Sequence, residues 1–483
     1  MDPSSIESDN GGERRCERTA GAGAGLRMPS PMGRAYAAPA LSPRPFTPRD
    51  RSDYLFLLAL LTLPADGTVL GFFQPFWTPL SPWFLVAYCV ANPRLLRRTM
   101  HRYAPFFALP VVLVLLSMPG WAAFGLHNNA VVMSLTGVVA IPATLAALDI
   151  AFMYKKLSWQ EAVRAVIAAY WFAFGVGVVQ WLAIHLQLGA VQGYFGHLMY
   201  RSYITTGVAW GGDRGRPQFL FAEPSYIGMH LFGVLLPLFW LMRRRDRVFA
   251  ERLKRLIVVF AAGSVLMGSG TRIILDSLVA LIVVIVVETP WRDAKRRPRG
   301  IVQLIGAGLL AMVSFAADSR LGSILGNGME GDGSFFARIW QSLGPLCGIV
   351  ERPWTLLTGY GAGNIADATH QGAGLAAWVL SAMHADAKPA ISWYAVIAPD
   401  TVWTMCAYTN ALTEFGLIGF GLFVFMVLRF IGRHHDWTKL SVCWLVLVAY
   451  LYVQFEGYAF AALPFLIWAL TRCSEFIRID DAQ

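Results

Sequence analysis

Seven arginines, Arg201, Arg214, Arg216, Arg272, Arg320, Arg338 and Arg352, fall in connecting segments that are otherwise poor in cations. A guanidinium keeps its proton and offers a planar fork of donors, so several that converge can hold a diphosphate without a metal ion. Arg216 opens RPQFLFAEPS (216–225), directly ahead of the apolar run YIGMHLFGVLLPLFWLM. Arg272 closes GSGTR (268–272), and Arg338 ends the spacing S-x3-R that begins at Ser334. For any one arginine, a salt bridge to a loop acid or to lipid is the simpler account. Joint placement beside these motifs singles out Arg216, Arg272 and Arg338 as a group suited to an anionic lipid headgroup.

Glu223-Pro224-Ser225 reads in two ways. Proline suits the first helical turn and an acid there complements the positive helix end, so Glu223 is either a cap or a group that orients or deprotonates substrate. The small residues of GSGTR permit a tight turn whose amides form an anion nest. Asp276, one turn past Arg272, either steadies that arginine for a phosphate or simply neutralises it. Neither GSGTR nor GYGAGN (359–364) continues into Gly-Lys-Ser/Thr, so neither is a nucleotide P-loop. Glu330 and Asp332 are a weak divalent-cation signal, and His370 and His384 lack any partner visible in sequence. The six cysteines show no metal-ligand spacing; Cys347 and Cys406 flank one loop and could pair, but two small apolar fillers is the plainer reading. No metal and no cofactor is expected.

The elements that must position these groups are membrane helices. Of 483 residues, 56% are hydrophobic and 14% charged, a balance that defines a polytopic, all-α integral membrane protein with the lipid bilayer as its partner. The formal charge of +10 is spread through short loops, which argues for topology signals and against nucleic acid. Residues 1–52 are rich in Gly, Pro, Ser and Arg, with no apolar stretch that reads as a signal peptide, and are expected to be a disordered cytoplasmic tail; Met28 or Met32 is an alternative start. Basic connectors at 92–102, 154–164, 243–255, 290–299 and 433–439 read as cytoplasmic, and the connectors between them, including the turn near Glu456, as external. Counting spans gives about twelve transmembrane helices with both termini inside. Spans 1–9 lie in 53–317, with 256–287 divided into two helices at GSGTR. A long, partly helical periplasmic loop fills 318–404 between the late spans, spans 10–12 lie in 405–472, and a cytoplasmic tail occupies 473–483.

The order R-x6-EPS, Ser-Gly-Thr-Arg, S-x3-R, GYGAGN and then TNALTEFGLIGF (409–420) resembles the O-antigen polymerase and ligase superfamily, in layout from about residue 54 to 470 and in motifs within roughly 214–420. That resemblance implies an inner-membrane glycosyltransferase facing the periplasm that uses an undecaprenyl-diphosphate-linked oligosaccharide. It implies catalytic roles for Glu223, Arg272 and Arg338, and substrate contacts from Arg216, Ser225, Ser334, Asn364 and Asn410. A chain-length regulator and a flippase are the protein partners it suggests. Ligases carry a His-Asn pair where this chain has Thr409-Asn410, so polymerisation of repeat units into O-antigen, capsule or exopolysaccharide is favoured over ligation. The competing classes are a carrier that flips lipid-linked oligosaccharide or exports polysaccharide, and a non-enzymatic scaffold. A carrier would place charge deep along several spans and show repeat symmetry, neither of which is visible here.

Overall fold

The computed structural model describes residues 47–71, 78–205, 215–402, 404, 406–434, 437–453 and 461–473. All belong to the unit Phe46–Gln483. The N-terminal tail, Arg214, the Glu456 turn and the tail from 474 onward lie outside the described residues, as does the side chain of Ser334.

The described chain is helical, and its lone β contact is an isolated bridge between Thr68 and Met199. In order the helices are α1 (Asp53–Leu61), α2 (Ser81–Ala91), α3 (Pro93–Arg102), α4 (Ala104–Phe124), α5 (Asn128–Asp149), α6 (Trp159–His185) and α7 (Gly189–Leu198). They continue as α8 (Pro224–Arg245), α9 (Arg247–Leu266), α10 (Thr271–Glu288), α11 (Arg297–Ala317), α12 (Ser319–Asn327) and α13 (Gly333–Glu351). The last are α14 (Ile365–Ala382), α15 (Lys388–Val396), α16 (Ala407–Arg433), α17 (Lys439–Val453) and α18 (Ala462–Arg472). Six of those described, α4, α5, α6, α8, α11 and α16, are long and apolar enough to cross a bilayer.

Local chemistry sets the ends that matter for the site. Asp246 caps α9 by accepting from Val248 N and Phe249 N, Asp318 caps α12 through Arg320 N and Leu321 N, and Asp332 caps α13 through Phe335 N. The 256–287 stretch forms two helices that meet at residues 267–270, where the sequence places the break. A single π-turn at Leu231–Leu235 lies inside α8.

α8 is the axis of the main core. Its residues Tyr226, Ile227, Met229, Leu231 and Leu235 are buried against α6, α9, α10 and α17. At the opposite end of the bundle Asp149 of α5 is fully buried and accepts from Arg472 (2.8 and 2.6 Å) and from Trp468 Nε1 (3.1 Å), both in α18. This clasp ties the last helix to the first third of the chain.

Residues 318–404 are more helical than a partly helical loop. α13 and α14 pack as a hairpin that α15 closes, and the trio has its own core of Phe336, Trp340, Cys347, Leu380, Ala390 and Tyr394. GYGAGN fastens this unit to the spans. Tyr360 N and Gly361 N donate to Thr413 O and Glu414 O, Gly363 N donates to Glu414 Oε1 (2.8 Å), and Ala362 is held at both ends by Ser117 Oγ and Trp121 Nε1 of α4. Opposite it, α16 breaks its helical path at Gly416 (φ 63°). Cys347 and Cys406 are both free thiols.

Candidate functional site

Five of the residues singled out by sequence, Arg216, Glu223, Ser225, Arg272 and Arg338, line one cavity of about 190 Å³. Its walls are the 215–225 segment entering α8, the GSGTR turn entering α10, the end of α11, and the facing sides of α12 and α13. A side chain at Gly270 would stand 3.7 Å from Arg216 Nη1, so Arg216 lies over the GSGTR turn and joins the two motifs. Arg320 and Asp332 complete the charged lining. Four arginines face two carboxylates, which leaves a surplus of two positive charges on a small, partly desolvated surface.

Glu223 precedes Pro224 in extended conformation, and its carboxylate bonds no backbone amide of the turn that follows. It is ringed instead by side chains. Oε1 accepts from Arg201 Nη1 (2.7 Å) and Tyr203 OH (2.7 Å), and Oε2 from Ser225 Oγ (2.9 Å). Burial, with Glu223 alongside, holds the Tyr203 phenol well above its ordinary pKa, so it remains a donor across the physiological range. Arg201 and Arg216 both lie against the Tyr203 ring, at 5.7 and 5.6 Å from its centroid. Burial and the nearby Arg320 lower the Arg216 pKa, the signature of cations crowded in a desolvated place that an anion would relieve.

Arg272 is buried in the first turn of α10 and pairs with Asp276 (Nε to Oδ2, 3.4 Å), which also accepts from Tyr450 OH (3.0 Å). Asp276 therefore steadies Arg272 from below while the arginine still lines the cavity. Gly228 makes this possible, because a Cβ there would stand 1.9 Å from Asp276 Oδ2. In the GSGTR turn the Ser269 hydroxyl is fully buried and has no hydrogen-bond partner among the described residues. Asp332 takes two bonds from Arg320 (2.6 and 2.5 Å), and Glu330 accepts from Asp386 N, so the acid pair is occupied by protein partners. Among the described residues no three His, Cys, Asp or Glu side chains group as metal ligands.

Two buried glutamines hold the segment. Gln180 of α6 accepts from Gln218 N and Phe219 N and donates to Phe219 O. Gln218 in turn accepts from Tyr203 N and donates to Arg201 O and Phe221 O. Asp66 adds a tether, accepting from Ala222 N (3.1 Å) while His230 Nε2 stands 3.0 Å from its other oxygen and Tyr170 OH 2.8 Å from His230 Nδ1.

Asn364 and Asn410 lie elsewhere. Asn364 is buried at the start of α14 and donates to Gly125 O and Tyr360 O; Asn410 is buried in α16 and accepts from Thr404 N and Oγ1. Neither lines the cavity. Arg201, Arg320, Tyr203 and Gln218 are the additions to the site; the two arginines were visible as out-of-place cations, whereas the other two carry no motif.

No known family model and no curated protein matches this sequence. Among the described residues the fold and the site define a helical protein with six helices long and apolar enough to cross a membrane and an arginine-lined cavity.

Proposed function

We propose that the chain is a membrane glycosyltransferase that joins undecaprenyl-diphosphate-linked oligosaccharide repeat units, with the arginine-lined cavity as its diphosphate site. The observation that carries this reading is the gathering of Arg216, Arg272, Arg320 and Arg338 around one small cavity that also holds Glu223. In the step, the bond between the donor sugar C1 and the diphosphate oxygen breaks, and the lipid diphosphate departs with the electron pair. An acceptor hydroxyl oxygen bonds to C1 and gives up its proton. The arginines stabilise the departing charge. Glu223 Oε2, which accepts from Ser225 Oγ, receives the proton. The free energy resides in the bond between the sugar and the diphosphate, so no nucleotide enters the step.

In this reading α1, α2, α9, α10, α17 and α18 join the six long helices as twelve spans, which puts the cavity on the periplasmic face of the inner membrane and the basic connectors inside. The test is incubation of the purified protein in liposomes with a synthetic lipid-diphosphate repeat unit. A ladder of longer products that is lost in Arg338→Ala is the expected result. Unextended substrate that crosses the bilayer would make the protein a carrier instead.

A further inference from the structure

A second, larger space lies on the other side of α10. Between α9 and α11, floored by α10, runs a crevice of about 1920 Å³. Its walls are aliphatic and open to the surroundings: Val258, Leu266, Leu281 and Leu310 are all exposed. α11 is largely exposed, with Gly300 and Ala307 as its buried residues. One end of the crevice is different in kind. Arg244, Arg245, Arg247, Lys254, Arg296 and Lys439 gather there together with Arg243.

The acids at this rim are engaged with protein. Glu288 pairs with Arg243 (2.8 Å), Asp293 with Arg296 (3.5 Å) and Glu251 with Lys254 (4.0 Å), while Asp246 caps α9. Seven cations against four carboxylates leave three positive charges over the mouth of an apolar trough. The amphipathic shape specifies its occupant: hydrocarbon chains against Val258, Leu281 and Leu310, and an anionic head at the rim.

We propose that this crevice binds an anionic diacyl phospholipid of the leaflet that faces the basic connectors. Acyl chains fill the space between α9 and α11, and the head phosphate sits among Arg244, Arg247 and Arg296. A neutral lipid fits the walls equally but forgoes the rim. The site is separate from the arginine-lined cavity and does not depend on glycosyl transfer.

Native mass spectrometry of the purified full chain in detergent, titrated with phosphatidylglycerol or phosphatidylcholine of the same acyl chains, tests it. Phosphatidylglycerol should bind about tenfold more tightly, given the strength of each Lys or Arg toward an anionic lipid surface. That preference should vanish in Arg244→Gln/Arg247→Gln/Arg296→Gln. Equal binding of the two lipids, or a preference that survives the triple substitution, overturns the proposal. If the triple variant does not fold, the wild-type preference is compared at low and high ammonium acetate: an electrostatic rim loses it with salt, and a salt-independent preference overturns the assignment. Displacement of phosphatidylglycerol by a polyprenyl phosphate at lower concentration would give the crevice to an isoprenoid tail and also overturn it.

Discussion

Arg338 and Arg272 differ in what their loss should do. Arg338→Gln should lower turnover by about 10² with little change in stability, as expected for a donor aimed at developing charge; transfer assays and detergent unfolding curves check the two halves. Arg272→Gln leaves Asp276 buried without its cation and should cost about 3–5 kcal/mol, much of it restored in Arg272→Gln/Asp276→Asn. Recovered stability without recovered turnover would separate structural pairing from the diphosphate role. Gln218→Leu orphans Tyr203 N and two carbonyls, for about 1–3 kcal/mol per buried group. The arginines were legible because cations outside the basic connectors are conspicuous in an apolar chain. The glutamine clamp was not: Gln180 meets backbone groups 38 or 39 positions away and Gln218 meets Tyr203 N and Arg201 O 15 and 17 positions away, and a side chain that serves another segment's backbone leaves no local pattern.

Among elements, the packing of α8 on α10 and of GYGAGN on α16 rests on missing side chains. Gly228→Ala drives a methyl into Asp276 and should displace Arg272, lowering activity before stability fails. Gly416→Ala meets both a positive φ and Leu357 O at 2.4 Å, for a cost of about 2–5 kcal/mol. Limited proteolysis of 318–404 should detect it as new cleavage, since the hairpin unit would lose its seat. The glycines of GYGAGN suggest a ligand loop when read alone. The amides of Tyr360, Gly361 and Gly363 are spent on Thr413 and Glu414 instead, so what reads as two separate motifs is one joint, a long-range pairing that local sequence cannot disclose.

At the scale of the molecule, six of the described helices are plainly long and apolar enough to cross a bilayer. The other helices of the proposed twelve are shorter or carry charge, and α10 with Arg272, Asp276 and Glu288 is the clearest case. In a cysteine-free background, Arg292→Cys and Gly328→Cys bracket α11 and should react with an impermeant maleimide from opposite sides of the membrane; reaction from the same side would remove α11 as a span. The clasp between Asp149 and Arg472 also has a meaning in time. The carboxylate leaves the ribosome 323 residues ahead of its arginine, an interval on the order of half a minute at ordinary elongation rates. For that interval the growing protein carries the acid of its fifth helix without the arginine that pairs with it, so the clasp closes only after residue 472 has been made.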